Sequence, residues 1–354
     1  MERAGVCLTS TNAIVAELVK NWASPAGAVA FPLLTWTARG FKERARRAIR
    51  IHEFGSPAVL RLEEVPHPAV GPGDVLIRVV AASFNPIDAK IREGSMKQAI
   101  GRPLPVVLGW DAAGVVEAVG ETATAFRPGD AVYSYPKFSR GGTYAEFVAV
   151  DESQVAHKPN TVSFAQAAAL PMTAQAAWMA IMTTGRVAAG QRVLIHGGAG
   201  GLGSIAVQLA KLQGAHVVAT ASATDRSLLE SLGADEVIDY QAVRFQDVVR
   251  EADLVLDTLG GQTQEDSWSV LKPGGILVAT AQPPSPERAR AAGVRAQFIF
   301  TPPSGDVLRQ IAALVDKGRL RPIIGAEVAL ADARKAHEPA SHVAGKTILH
   351  VATP

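Results

Sequence analysis

The chain is nearly without cysteine. One stands among 354 residues, Cys7, so no internal disulfide can form and no thiolate cluster can hold a structural zinc. That usage fits a reducing compartment, and a cytoplasmic protein is expected. An excess of charge of one sign is also missing, since 35 Lys and Arg face 33 Asp and Glu. The basic residues are scattered apart from a cluster near residue 44, which gives no electrostatic footprint for nucleic acid. No apolar run reaches the roughly 20 residues of a membrane span. There is no Ser-His-Asp order and no paired-carboxylate motif for hydrolysis. The GK[ST] that closes a triphosphate-binding loop is missing too.

Glycine, in contrast, is abundant, and its densest cluster organises the chain. Residues 192–204 read RVLIHGGAGGLGS. Val193, Leu194 and Ile195 form an apolar run suited to a buried parallel strand. From about Ser204 the period turns helical, with Ile205, Leu209 and Leu212 on one face. Gly198, Gly200 and Gly203 therefore make a GxGxxG between a strand and a helix. The first should permit a tight turn, the second the approach of a pyrophosphate, and the third close packing of the helix. Gly201 and Leu202 lie at the helix N-terminus, which faces the anion. A ligand-free βα turn is the plain alternative.

A second absence bears on the choice of dinucleotide. The next strand ends Ala219-Thr220-Ala221-Ser222, with no carboxylate to accept from ribose hydroxyls. Ser222 can donate and Arg226 follows four residues on, which predicts NADPH over NADH. Asp225 would oppose this if it pointed inward.

The length suggests two domains. Residues 1–46 show no sustained period and are expected to be a poorly ordered extension. Strands are predicted over 48–54, 59–65 and 75–83, with a helix after Asn85-Pro86, where Asn85 stands as the cap. Short strands and Gly/Pro turns continue to about 160. A helix follows over 161–184, capped at Ser163 and interrupted by Pro171. Strands at 192–196, 215–221, 235–239, 253–257 and 275–280 alternate with helices near 202–213, 225–232, 243–250 and 263–270, a doubly wound α/β pattern. Residues 281–304 read as loop. Helices at 305–317 and 332–340 and a strand at 346–351 close the chain.

Taken together, IHEFGSPAVLRLEEVP, VLIRVVAASFNPIDAKIREG, VVLGWDAAGVVEAVG, FRPGDAVYS, GGTYAEFVAV, the glycine segment, LGADEVIDY, DLVLDTLGG, LKPGGILV and HVAGKTIL resemble the medium-chain dehydrogenase/reductase superfamily. Within it, the chain is most similar to the zinc-free quinone oxidoreductase branch to which zeta-crystallin belongs. The resemblance spans about 47–354. It implies a GroES-like β-rich catalytic domain over 47–165 and 300–354, and a Rossmann domain with a doubly wound parallel sheet over 166–299. A homodimer is implied as well. Gly109-Trp110-Asp111 stands where zinc-dependent members carry Gly-His-Glu, so no metal is expected. Asp111 should bond locally and His196 should be a packed residue.

The resemblance also carries site residues. Tyr240 would lie near the adenosine phosphate, its alternative being a strand-end tyrosine with a wet hydroxyl. Asn85, in the NPxD segment, would orient substrate or nicotinamide, and Asp88 would steady the loop. Ala176 stands where a threonine usually meets the nicotinamide, and Thr173 could compensate. Gly260, Gly274 and Val278 would pass near the cofactor, and Lys346 would reach its phosphates. Tyr135, Tyr144 and Lys97 are weighed as donors, with packing as the alternative for the two tyrosines.

Without a metal, hydride transfer to a small-molecule quinone or α,β-unsaturated carbonyl fits best, because the developing charge is delocalised onto oxygen. Two alternatives stay open: an enoyl-thioester reductase, and a low-turnover NADPH-binding sensor.

Overall fold

Two large sheets and one small sheet organise the chain, and the computed structural model describes residues 46–338 and 343–352 of it. The expected extension, up to residue 45, and Cys7 lie outside the described residues. So does the end of the helix expected at 332–340.

The first part contains β1 (Arg46–Ile51), β2 (Arg61–Val65), β3 (Asp74–Ser83), α1 (Pro86–Glu93), β4 (Val106–Val107), β5 (Ala112–Val119), β6 (Ala131–Ser134), β7 (Phe147–Asp151) and β8 (Val155–His157). Its spine is β3, buried almost throughout because Val, Leu, Ile and Ala fill it on both faces. One edge of β3 pairs antiparallel with β5, and the other pairs in succession with β7 and the last strand of the chain.

The chain then passes through α2 (Phe164–Ala168) and α3 (Pro171–Trp178), which runs into a π-helical turn over 179–184. Ser163 and Gln166 cap α2 reciprocally, and Pro171 separates the two helices by starting the second. Ala167, Ala174, Ala177 and Ala180 are fully buried in the core that these helices share with the Rossmann strands. Small side chains let them lie close to the sheet.

The parallel sheet follows: β9 (Arg192–Ile195), α4 (Gly201–Leu212), β10 (His216–Ala221), α5 (Arg226–Leu232), β11 (Glu236–Asp239), α6 (Phe245–Val248), β12 (Ala252–Asp257), α7 (Gly261–Ser267), β13 (Leu271–Ala279), α8 (Pro286–Ala291) and β14 (Arg295–Phe298). The strand order is β11-β10-β9-β12-β13-β14, all parallel. This is the doubly wound order expected. Val193, Ile195, Val217, Ala219, Leu254 and Leu256 face one core, and Leu194, Val218 and Val255 face another. Two buried faces explain why the strands read as unbroken apolar runs.

Two stretches, holding three elements, went unread in the sequence. Residues 281–304, expected to be loop, contain α8 and the edge strand β14. The helix does carry start signals, with Ser285 accepting from the Arg288 N–H and Pro286 at the first position. The strand is four residues long and mostly exposed, so it lacks an apolar run. The tail holds α9 (Gly305–Asp316), β15 (Ile324–Ala329), α10 (Ala333–His337) and β16 (Lys346–His350). The second unread stretch is β15, which alternates between half-buried and exposed residues at the edge of the seven-stranded sheet. Through β16 on β3, the tail returns to the first sheet.

Candidate active site

The carboxyl end of β9 opens into the glycine turn. The left-handed residue is Gly197, at φ 64°, so the tight turn falls one residue before the expected Gly198. Gly198 is small for a different reason: a Cβ there would stand 2.8 Å from the Ala219 methyl on β10. At Gly203 a Cβ would meet the Gly197 carbonyl oxygen at 2.2 Å, so the helix can approach the turn only with glycine. Helix α4 begins at Gly201 behind Gly200, with no side chain capping it. The N–H groups of Gly201, Leu202 and Gly203 therefore lack intrahelical acceptors at the positive end of a twelve-residue helix, and Gly201 lies beside Gly345, with which Gly200 forms a parallel bridge. Such an end suits a diphosphate.

His196 is structural. Its ring is fully buried between the Thr220 and Ser267 hydroxyls at 3.1 and 3.0 Å, and burial holds its pKa down at about 4. Next to it, the Thr258 hydroxyl donates to the His196 carbonyl at 2.8 Å. That contact brings the loop after β12 beside the turn. Buried Asp257 shapes this loop, accepting from the Leu259 and Gly260 N–H groups at 2.9 and 2.8 Å and from Gln264 Nε2 at 2.8 Å. Gly260 thus lies at the carboxyl edge of the sheet, on the side of the glycine turn. Val278 and Gly274 do not. Val278 is wholly buried in the core shared with Ile195 and Leu256. Gly274 bonds Gly293 before the paired stretch of β13, at the opposite edge of the sheet.

Ser222, Arg226 and Tyr240 meet at the ends of β10 and β11, where the Tyr240 N–H donates to the Ala221 carbonyl at 3.2 Å. Asp225 does turn inward, the arrangement expected to oppose NADPH: its carboxylate is buried and accepts from the Ser222 hydroxyl at 2.8 Å, which spends on Asp225 the donor expected of Ser222. The free donors at this end are therefore Arg226, paired only loosely with Glu230 at 3.8 Å, and Tyr240, whose side of the strand is open at 57% exposure.

The other half of the site is a buried polar knot around Asp111. Its Oδ2 accepts from Ser83 Oγ and Asn85 Nδ2, both at 2.7 Å, with Lys346 Nζ at 3.5 Å. Its Oδ1 accepts from the Met172 N–H at 2.7 Å. Asp111 therefore ties β3, β5, α3 and β16 together instead of bonding locally as expected. Lys346, expected at the phosphates, points its ammonium elsewhere: it donates to Asn85 Oδ1 at 2.5 Å and to the Phe84 carbonyl at 2.6 Å. Its stem still crosses the glycine turn, since a Cβ on Gly201 would fall 2.5 Å from Lys346 Cδ and 3.5 Å from Thr173 Cγ2. The Gly345 N–H donates to the Ala199 carbonyl at 2.7 Å in the same place. Thr173, Gly201 and Lys346 are thus brought together, with Thr173 Oγ1 donating to the Ala169 carbonyl at the end of α2.

Asn85 does not cap α1 with its side chain. The Asp88 carboxylate accepts from the Asn85 backbone N–H at 2.6 Å, which frees the amide for the knot. Asp88 is completely buried, and desolvation lifts its pKa to about 7 against the pull of the Asn85 N–H and Lys346. Burial also lowers the pKa of Lys346, countered by Asp111 and Asp88. The Tyr144 hydroxyl faces Asp88 and is pushed well above its ordinary value by burial. Tyr135, weighed as a donor to substrate, spends its proton on the Thr301 carbonyl at 3.2 Å. Its ring and Phe300 both pack on Phe138, and Phe300 stays 55% exposed. Lys97 is on the surface. The residues that sequence reasoning missed, Ser83, Met172 and Asp257, carry no local signal. Their roles depend on partners far along the chain or on a backbone N–H.

A glycine turn ahead of an uncapped helix N-terminus thus adjoins a buried polar cluster, on a parallel sheet joined to an antiparallel one. Residues 71–160 match the model of the alcohol dehydrogenase GroES-like domain, and 232–349 that of the zinc-binding dehydrogenase family. A 2-methylene-furan-3-one reductase from Solanum lycopersicum is 39% identical over 77% of this chain and 69% of its own length. An NADPH-dependent alkenal/one oxidoreductase, chloroplastic, from Arabidopsis thaliana is 36% identical over 84% of this chain and 78% of its own. The quinone oxidoreductase from Coxiella burnetii superposes with a TM-score of 0.81 at 34% identity, over 87% of this chain and all of its own. The chain belongs to the medium-chain dehydrogenase/reductase superfamily, with a GroES-like domain and a Rossmann sheet.

Proposed function

We propose that the chain is an NADPH-dependent, zinc-independent oxidoreductase that transfers hydride to quinones or α,β-unsaturated carbonyls. The observation that carries this reading is the run of the Lys346 side chain from Gly201 to Asn85, which sets the anion-binding turn and the polar knot one side chain apart. The names of the relatives support it. The N–H groups of Gly201, Leu202 and Gly203 would hold the diphosphate, Arg226 and Tyr240 the 2′-phosphate, and Thr173 would lie beside the nicotinamide. The glycine pattern fits this cofactor, because side chains at Gly198, Gly201 or Gly203 would fill the cradle or distort it. When bound, NADPH supplies a hydride from its nicotinamide. Asn85 would meet the acceptor's oxygen.

Zinc independence is supported by the ligand set. Asp111 is occupied by four donors, one of them a cation. Among the described residues no group of three or more His, Cys, Asp or Glu could hold a metal ion. No helix among them is long and apolar enough to cross a membrane. A homodimer in the cytoplasm completes the reading, as do the domain boundaries of 47–165 with 300–354 and 166–299.

The test is oxidation of NADPH and NADH by the purified protein with quinones, enones, an enoyl thioester and simple alcohols, with and without a chelator. Chelator-insensitive reduction of quinones or enones with NADPH is expected. Chelator-sensitive alcohol oxidation would refute zinc independence, and tight NADPH binding without turnover would favour a sensor.

A further inference from the structure

The buried knot has nearly spent its hydrogen bonds. Asp111 Oδ2 takes Ser83, Asn85 and, at 3.5 Å, Lys346, which fills both of its acceptor sites, and Oδ1 takes the Met172 N–H. The three N–H bonds of Lys346 go to Phe84, Asn85 and Asp111. The Asn85 backbone N–H is held by Asp88. The orientation of the Asn85 amide is therefore forced. An ammonium can only donate and an ionised carboxylate can only accept, so Oδ1 faces Lys346 and Nδ2 faces Asp111. Within the knot, the second hydrogen on Asn85 Nδ2 has no acceptor among the described residues. A cation against Oδ1 draws electron density out of the amide and strengthens this N–H, as polarised hydrogen-bond chains do in a low-dielectric interior.

We propose that the free Nδ2–H of Asn85 stabilises the oxygen on which negative charge develops during reduction, and that Lys346 and Asp111 are positioning residues that fix and polarise it. The proposal rests on the reading above of a reductase for conjugated carbonyls. In an enone, the incoming hydride forms a C–H bond at the β-carbon. The π pair of the C=C bond shifts to make an enolate, whose oxygen accepts from Asn85. Solvent then supplies a proton to the α-carbon, and NADP+ is left. The buried ammonium of Lys346 takes the charge-stabilising part that a Lewis acid would otherwise fill, acting through Asn85 and not by contact with substrate.

Lys346→Met, Asn85→Ala and the double variant would be compared for turnover of methyl vinyl ketone and for NADPH affinity. Asn85→Ala is expected to lower kcat about 100-fold, as loss of one oxyanion donor does. Lys346→Met should lower it about 10- to 100-fold and leave the NADPH Kd within about twofold. The double variant should be no slower than Asn85→Ala, because the two act as a unit. A large rise in NADPH Kd with kcat intact would put the lysine on the phosphates and overturn the proposal, as would losses that simply multiply.

A spectroscopic arm does not need turnover. The chain has four asparagines, Asn12, Asn21, Asn85 and Asn160, so selective 15N labelling resolves the Asn85 side-chain amide. Its two protons should be widely separated and slow to exchange in the native protein, and should collapse toward free asparagine in Asp111→Asn, which keeps the side-chain shape. An unchanged pair would overturn the proposal. If the native protein reduces no acceptor, the functional reading fails, and the amide signals alone decide whether the polarised donor exists.

Discussion

Lys346 and Asn85 lie 261 residues apart in the chain and 2.5 Å apart in the fold. That single contact joins the last strand to the start of α1, and through the lysine stem it also touches the glycine turn. Loss of any corner of this knot should be felt at the others.

Asp111→Ala removes the anion opposite a buried ammonium. An uncompensated buried charge costs about 3–5 kcal/mol, so urea unfolding should show a loss of that order. Asp111→Ala combined with Lys346→Met should lose less than Asp111→Ala alone, because no unpaired charge then stays inside. A double variant less stable than the single would show that the lysine is packed and not paired.

Asp88 gives the fold a pH dependence. Burial raises its pKa from 3.8 to about 7. A carboxyl with a raised folded pKa contributes stability that is complete below its unfolded pKa and is lost as pH rises through the folded one. Relative to Asp88→Asn, the native protein should lose on the order of 4 kcal/mol between about pH 4 and pH 7, then run parallel. Charges facing Asp88 are Lys346 and Asp111, with the Tyr144 hydroxyl against it. Melting both proteins across that range is the check. A constant difference between them would mean that Asp88 does not titrate there.

Two glycines of the turn should fail in different ways. In Gly203→Ala the new methyl would meet a backbone carbonyl at 2.2 Å, and the loss of stability should reach or exceed the ~1–3 kcal/mol of an overpacked core. In Gly201→Ala the obstacle is the Lys346 stem, which can bend. That variant should melt near the native temperature yet bind NADPH at least ~10-fold more weakly, since the methyl sits at the helix N-terminus. Calorimetry paired with fluorescence titration separates the two.

Arg226 is a cation at the end of β10, held by Glu230 at 3.8 Å. Arg226→Ala should raise the KM for NADPH about 10-fold, the loss of one charge-assisted bond of ~1.4 kcal/mol, and leave the KM for NADH unchanged. Equal effects on both cofactors would place the 2′-phosphate elsewhere.

The doubly wound sheet was legible because each strand is buried on two faces and spells an apolar run, with the glycines between the first strand and its helix. The strand β14 was not, because a four-residue exposed edge has no such run. Asn85 was legible as a residue of interest, whereas its real partners were not. Asp111 and Lys346 reach it from distant segments, the Met172 N–H reaches Asp111 from a third, and no period or spacing encodes such a meeting. The lysine after Gly345 was read toward the phosphates from its place in the terminal Gly-Lys of the resembling segment. Its stem does lie there, and only its charge goes elsewhere.

The joint between Gly345 and Ala199 has a consequence for biosynthesis. A ribosome adds about 5–20 residues each second and releases the N-terminal part first. The sheet around β3 and the glycine turn can both emerge and begin to fold while β16 is still unmade. Until β16 leaves the exit tunnel, nothing clamps the turn against Asn85. The nascent protein should therefore be unable to consume reducing equivalents before β16 has emerged and paired with β3.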